Sequence, residues 1–318
     1  MSGNLLEVRN LKSYFYTYDG VVKAVDGISF YIKEKESFGL VGETGCGKSV
    51  TALSVMRLLD PPGRIVDGEI LFEGLDILRI PEEKMRELRG SRISIIFQDS
   101  MASLNPLMKI GDQIAEVLRK GRSKVEREDI EELLKLVRMP SPRRVVNSYP
   151  FELSGGMRQR AMIAMMLASK PRLLIADEPT TALDVTTQVQ ILNLLKDMKE
   201  NMGLSVWLIT HDLGVVAEFC DRVCVMYAGK IIECGSVREI FKEPLHPYTI
   251  GLLSSIPVVN RRVDRLSSIP GNVPNLINPP LGCRFHPRCS YAFSLCSERV
   301  PEETRVSETH TVFCHLYS

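Results

Sequence analysis

Residues 42–49 read Gly-Glu-Thr-Gly-Cys-Gly-Lys-Ser, which satisfies the phosphate-cradling pattern G-x-x-x-x-G-K-[ST]. Glycines at 42, 45 and 47 let the backbone turn several N–H groups toward one phosphate chain, and a following helix adds its positive N-terminal end. In that chemistry Lys48 reaches the β- and γ-phosphates and the Ser49 hydroxyl ligates Mg²⁺. A second set of groups lies at residues 173–178, Leu-Leu-Ile-Ala-Asp-Glu, an apolar run tipped by two carboxylates. Asp177 is placed to hold Mg²⁺ through water, and Glu178 to polarise an attacking water. His211 closes the next apolar run and can sense a γ-phosphoryl group as a neutral donor. A third set, Leu153-Ser154-Gly155-Gly156-Met157, places a serine and two glycines at a helix start and so makes another anion site. One chain needs one phosphate loop, so this site is expected to face outward.

The elements that must position these groups follow from periodicity. Residues 38–41 read as a buried strand and 48–59 as a helix, which gives the glycine-rich turn the strand-to-helix setting its pattern requires. Strands are expected at 5–8 and 21–32, with the crowded aromatics Tyr14 to Tyr18 between them. Of these Phe15, followed by Tyr14 and Tyr16, is the choice for packing against an adenine. Further strands are expected at 68–72, 92–97, 172–176 and 205–210, and a hairpin at 222–233 turning on Ala228-Gly229. Helices are expected at 110–119, at 123–137 opened by a Ser123/Glu126 capping box, and at 185–202 with Ile191, Leu195, Met198 and Met202 on its apolar face. Strands alternating with helices after an antiparallel opening indicate an α/β nucleotide-binding core.

Composition bounds the partners. The 318 residues carry a formal net charge of +1 and are 44% hydrophobic and 25% charged, values of a soluble globular chain with no sign of a polyanionic partner. Residues 1–10 lack the basic and apolar regions of a secretion signal, and no apolar run approaches a membrane span, so a cytosolic chain is expected. Of eight cysteines, Cys46, Cys220, Cys224 and Cys234 read as small packing residues. Cys283, Cys289, Cys296 and Cys314 gather in a proline-rich C-terminal stretch, where metal binding is favoured over disulfides.

Taken in order, these motifs resemble the ATP-binding subunits of ABC importers. Gly42 to Ser49 looks like the Walker A loop, Gln98 the Q-loop, Leu153 to Met157 the signature, Leu173 to Glu178 Walker B, Ala182-Leu183-Asp184 the D-loop and His211 the switch histidine. Met157 departs from the glutamine commonest in the signature. Ser103-Leu104-Asn105-Pro106, Leu245-His246-Pro247-Tyr248-Thr249 and the segment from Gly282 to Cys289 are similar to the oligopeptide/dipeptide (peptide/nickel) branch. The resemblance implies a P-loop ABC-ATPase core (residues 1–98 and 170–243) with an antiparallel β subdomain, a helical subdomain (99–169) and a small cysteine-rich C-terminal extension (244–318). It implies ATP held by Phe15, by the loop residues Gly42, Glu43, Thr44, Gly45, Cys46, Gly47, Lys48, Ser49 and Val50, and by Gln98 and Asp177. Ser154, Gly155 and Gly156 close over the ATP of a second chain. Ser49, Gln98 and Asp177 serve Mg²⁺, while Glu178, His211 and Gln98 serve hydrolysis. Implied partners are a second ATP-binding subunit, identical or paralogous, two membrane permease subunits and an external substrate-binding protein, with the chain peripheral on the cytoplasmic face of the cell membrane. The four clustered cysteines are implied to carry a [4Fe-4S] cluster; zinc, with His286, His310 and His315 as substitute ligands, is the alternative. The implied cargo is di- or oligopeptide, with nickel or oligosaccharide import and a soluble ABC ATPase acting on nucleic acid as the other readings.

Overall fold

A computed structural model describes residues 3–98, 103–120, 124–181, 183–255 and 269–318. The chain divides into two compact units, residues 1–79 with 208–318, and residues 80–207. The first unit opens with β1 (Asn4–Thr17), antiparallel to β2 (Gly20–Lys33). β1 runs straight through the aromatic cluster that the sequence placed between strands. Register shifts on either side of Leu11 and between Ser13 and Phe15 explain this, because bulges redistribute crowded side chains. β3 (Ser37–Val41) is buried at all five residues and leads into α1 (Lys48–Val55). The helix stops short of the expected Leu59: Arg57 turns to φ 50°, a left-handed angle that breaks the helix. β4 (Gly63–Phe72) begins earlier than the expected Gly68 and pairs with β1 from Phe15↔Gly63 to Leu6↔Phe72. β5 (Leu75–Asp76) completes a sheet of order β2-β1-β4-β5.

The second unit holds α2 (Glu82–Leu88), β6 (Ile93–Ile96), α3 (Ile110–Arg119), α4 (Arg127–Leu136), α5 (Pro142–Val145), α6 (Gly155–Leu167), β7 (Leu173–Asp177) and α7 (Val185–Met202). β6 and β7 are parallel, Ile93↔Leu173 to Ile96↔Ala176. α4 starts later than expected. Ser123 lies outside the described residues, and the capping box is formed by Glu126 and Asp129. On α7, Ile191, Leu195 and Met198 are buried as expected. Met202, the last helical residue, is not: it stands 37% exposed.

β8 (Ser205–Thr210) carries the chain back into the first unit. There follow α8 (Leu213–Phe219), β9 (Arg222–Tyr227), β10 (Lys230–Ser236), α9 (Val237–Lys242), α10 (Pro247–Ser254), α11 (Ser294–Glu298), β11 (Thr304–Arg305) and β12 (Thr311–Val312). Within this unit the strands run β11-β12-β10-β9-β3, β9 parallel to β3. The C-terminal strands therefore continue the sheet that carries the phosphate loop, with Glu233 opposite Val312.

The hairpin turns on Ala228-Gly229, both at positive φ. Its register sets Cys224 opposite Cys234, and the two form a disulfide. Reading them as independent packing residues is corrected by this register.

Candidate active site

The phosphate loop is shaped by close backbone packing. At Gly42 a Cβ would stand 2.1 Å from the Met226 carbonyl oxygen. At Gly47, the N-cap of α1, φ is +108° and a Cβ would stand 2.2 Å from the Ala24 carbonyl oxygen. Only glycine fits either place. Lys48 is buried, and its ammonium donates to the carbonyls of Gly42 (2.8 Å) and Glu43 (3.0 Å). The Gly229 N–H donates to the Cys46 carbonyl (2.8 Å), so the β9–β10 turn braces the loop from behind. Cys46 is fully buried, and burial raises its thiol pKa. Thr44 and Gly45 are exposed at the tip, while Ser49 and Val50 are half-buried. The aromatics ahead of the loop divide. The Tyr14 hydroxyl donates to Asp26 (2.6 Å), Tyr16 is half exposed under the Arg64 guanidinium, and Phe15 lies over Gly63, where a Cβ would meet its ring at 2.7 Å. His211, just past β8 in the same unit, is exposed.

In the second unit β7 delivers the carboxylates. Asp177 is the last strand residue and buried; Glu178 follows at φ 47°. Such an angle costs a non-glycine residue about 1–3 kcal/mol and persists where the surroundings enforce it. Here the enforcing contacts are two donors on one oxygen: Gln98 Nε2 (2.9 Å) and Thr181 Oγ1 (2.9 Å) both donate to Glu178 Oε2. The sequence pointed to Gln98 and Glu178 but missed Thr181, although a hydroxyl three residues after the glutamate was a readable signal. The arrangement leaves a carboxylate oriented by neutral donors, suited to accept a proton or align a water.

At the start of α6 the Ser154 hydroxyl accepts the Met157 N–H (3.3 Å). A Cβ at Gly156 would come within 2.6 Å of Thr187 Cγ2, so α6 starts tight against α7. Thr187 in turn donates to Asp184, the α7 N-cap. Of the expected D-loop, Ala182 lies outside the described residues. Arg160, buried on α6 and missed by the sequence reading, donates to the carbonyls of Val137 and Arg138 and to Gln190, tying the helical layer together.

Cys283, Cys289, Cys296 and Cys314 line one small cavity, together with His246, Phe285 and His315. Among the described residues, no group of three or more His, Cys, Asp or Glu side chains is arranged to hold a metal ion. The expected iron–sulfur ligand set is therefore not found as a formed site. Burial pushes the Cys283 thiol up to about 11 and raises Cys289 and Cys314 as well. The donor chemistry nevertheless suits a soft metal, since four thiols share one cavity. His310 is committed elsewhere, its Nε2 2.8 Å from Glu233, and His315 Nε2 lies 2.9 Å from the Arg299 carbonyl oxygen.

Comparison with known proteins decides the family. Residues 25–181 match the ABC transporter family and residues 232–296 the oligopeptide/dipeptide transporter C-terminal region. The chain is 52% identical over 315 residues to the probable peptide ABC transporter ATP-binding protein y4tR of Sinorhizobium fredii, covering 98% of this chain and 94% of the relative. It belongs to the oligopeptide/dipeptide branch of the ABC transporter ATP-binding proteins. The oligopeptide transport ATP-binding protein OppD of Salmonella typhimurium is 50% identical to this ABC subunit over 302 residues, covering 94% of this chain and 90% of that one. Among solved structures, the dimeric bacterial ABC transporter cassette MJ0796 aligns with TM-score 0.66 and 28% identity over 73% of this chain and 99% of its own. The ABC subunit is thus longer than that cassette alignment. Among its described residues, no helix is long and apolar enough to cross a membrane.

Proposed function

We propose that this ABC subunit hydrolyses ATP to power import of di- or oligopeptides through a membrane permease. The observation that carries the reading is the Glu178 carboxylate at the tip of β7, oriented by Gln98 and Thr181. The peptide class is supported by relatives named for peptide transport that align over nearly the whole of this chain. In this reading Gly42 to Val50 cradle the phosphates, Lys48 neutralises the β- and γ-oxygens, and Ser49, Gln98 and Asp177 serve Mg²⁺. Phe15 packs on the adenine. Glu178 takes the proton of the attacking water, and His211 contacts the γ-phosphoryl group. Ser154, Gly155 and Gly156 contact the ATP of a second ATP-binding subunit, so each composite site needs two chains. The core (1–98 and 170–243) binds nucleotide, the helical part (99–169) receives the permease, and the extension (244–318) holds the cysteines. Those cysteines, Cys283, Cys289, Cys296 and Cys314, carry a [4Fe-4S] cluster, with zinc the alternative. Such a group supplies a structural cross-link to a segment with little core of its own. The subunit sits on the cytoplasmic face of the membrane, and an external binding protein delivers the cargo.

The test is reconstitution of the ABC subunit with its permease and binding protein in lipid vesicles. ATP turnover is expected to rise when the binding protein is loaded with di- or oligopeptides. Stimulation by nickel or an oligosaccharide in place of peptide would reassign the cargo and leave the ATPase role standing.

A further inference from the structure

The C-terminal segment that carries the cysteines also grips the phosphate loop. Arg288, one residue before Cys289, donates from Nη1 to Glu43 Oε2 (2.8 Å) and from Nη2 to Glu43 Oε1 (3.1 Å), a two-pronged pair. The arginine side chain is only 7% exposed and the glutamate 26%. Nε of the same guanidinium donates to the Pro270 carbonyl (2.8 Å), so it also fixes the chain that leads into the cysteine segment. A second hold is independent of charge. The backbone N–H of Glu43 donates to the hydroxyl of Tyr248 (3.0 Å), a residue with no exposed surface. Tyr248 packs against Tyr227 and Phe285, with ring centroids 4.6 and 5.3 Å away. Arg284, four residues before Arg288, donates to the Ala228 carbonyl and pairs with Asp26, at the turn whose Gly229 N–H braces Cys46.

Glu43 is the second residue of the loop, and the Lys48 ammonium donates to its carbonyl. Side chain, N–H and carbonyl of this one residue are thus each held, two of them by the C-terminal segment. We propose that Arg288 and Tyr248 are positioning residues that preset the phosphate loop, so that nucleotide affinity and the order of the cysteine segment are coupled. Coupling of this kind is reciprocal: whatever the clamp adds to nucleotide binding, nucleotide returns to the segment. The inference rests on the reading of residues 42–50 as the ATP cradle.

Binding of the non-hydrolysable analogue adenosine 5′-(β,γ-imido)triphosphate with Mg²⁺ to the full chain tests it. Arg288→Ala is expected to weaken affinity about tenfold and Arg288→Lys, which keeps charge but loses the fork, about threefold. Tyr248→Phe removes one hydroxyl and no packing, so it guards against misfolding; a loss of about threefold is expected, with the fold retained and the melting temperature only modestly lowered. The readout that packing alone would not move is amide hydrogen exchange over residues 283–289, expected to slow with nucleotide in the wild type and not in Arg288→Ala. Wild type binding the analogue no better than Lys48→Ala would overturn the ATP reading and the clamp with it. Wild-type binding matched within twofold by both Arg288→Ala and Tyr248→Phe, or nucleotide protection of 283–289 persisting in Arg288→Ala, would overturn the clamp alone.

Discussion

Two glycine-led helix starts in this molecule are built in opposite ways. α1 begins at Gly47, left-handed and without a side-chain cap, and its first residue is a buried lysine. α6 begins at Ser154, extended, with its hydroxyl bonded to the Met157 N–H, and no charge sits in the first turn before Arg158. The first start, uncapped by a side chain and proposed to take the phosphates, is supported from outside its own helix, by the hairpin turn, Tyr248 and Arg288. The second is self-capped and complete in its own chain. A site that binds nucleotide before anything else needs the first design, because its donors must be preset without their ligand. A site that meets a nucleotide already held by another chain suits the second: its hydroxyl can stay occupied at home until the partner arrives. The roles assigned to Lys48 and Ser154 follow that division.

The largest effect expected concerns neither helix start but the chemistry both are proposed to serve. Glu178→Gln keeps the shape of the side chain and its hydrogen bonds but removes the base; ATP turnover is expected to fall about 100- to 1,000-fold, within the range for losing a general base, with nucleotide binding retained. Unchanged turnover would remove Glu178 from the reaction and leave the two proposed anion sites without a shared purpose. Next in size is Lys48→Ala. It strips the charge from the open start, and nucleotide affinity measured by calorimetry is expected to fall by about tenfold or more, since charged hydrogen bonds contribute about 1.5–3 kcal/mol.

The open start was far easier to read from sequence than its supports. A G-x-x-x-x-G-K-S run between an apolar strand and a helix is local, so residues 42–49 were legible in full, and strands β7 and β8 were found almost to the residue because each is buried throughout and reads as an uninterrupted apolar run. Interactions that join distant residues were not. Arg288 lies 245 positions from Glu43, and no periodicity encodes such a pair. The length of β1 was missed because bulges break the period-of-two pattern that a strand assignment relies on. The early end of α1 turns on a single left-handed residue, Arg57, whose type gives no warning. The four C-terminal cysteines were legible as a group, and their shared cavity fits that, whereas the Cys224–Cys234 pairing depends on a hairpin register that spacing does not state.

Ser154→Ala puts the self-capped design to a direct measurement. Losing an N-cap costs about 1 kcal/mol, so a modest drop in melting temperature is expected. Binding of nucleotide to the single chain is expected to stay as it was, while ATP turnover in the assembled pair falls several-fold. A loss of single-chain affinity instead would mean that Ser154 serves its own chain's nucleotide, and the contrast between the two helix starts would collapse.

A third helix start sharpens the comparison at the smallest scale. α9 is capped by Ser236, whose hydroxyl accepts the Glu239 N–H while the Glu239 carboxylate accepts from the Ser236 N–H (2.8 Å) and hydroxyl (2.7 Å). Ser307 (2.6 Å) and Thr309 (2.8 Å) donate to the same carboxylate, binding the C-terminal segment to the helix. Burial works against the charged form, but these hydrogen bonds outweigh it and hold the Glu239 pKa down to about 2, below the ordinary 4.5. A carboxyl depressed in the folded state gives stability that is complete above its unfolded pKa and is lost as pH falls through the folded one. The loss is therefore expected between pH about 4.5 and about 2. Melting temperature measured across that window should fall less steeply in Glu239→Gln than in the wild type, the difference vanishing at the acid end. Parallel curves would show that the carboxylate is not what closes this start, and that the serine alone suffices there as it does at Ser154.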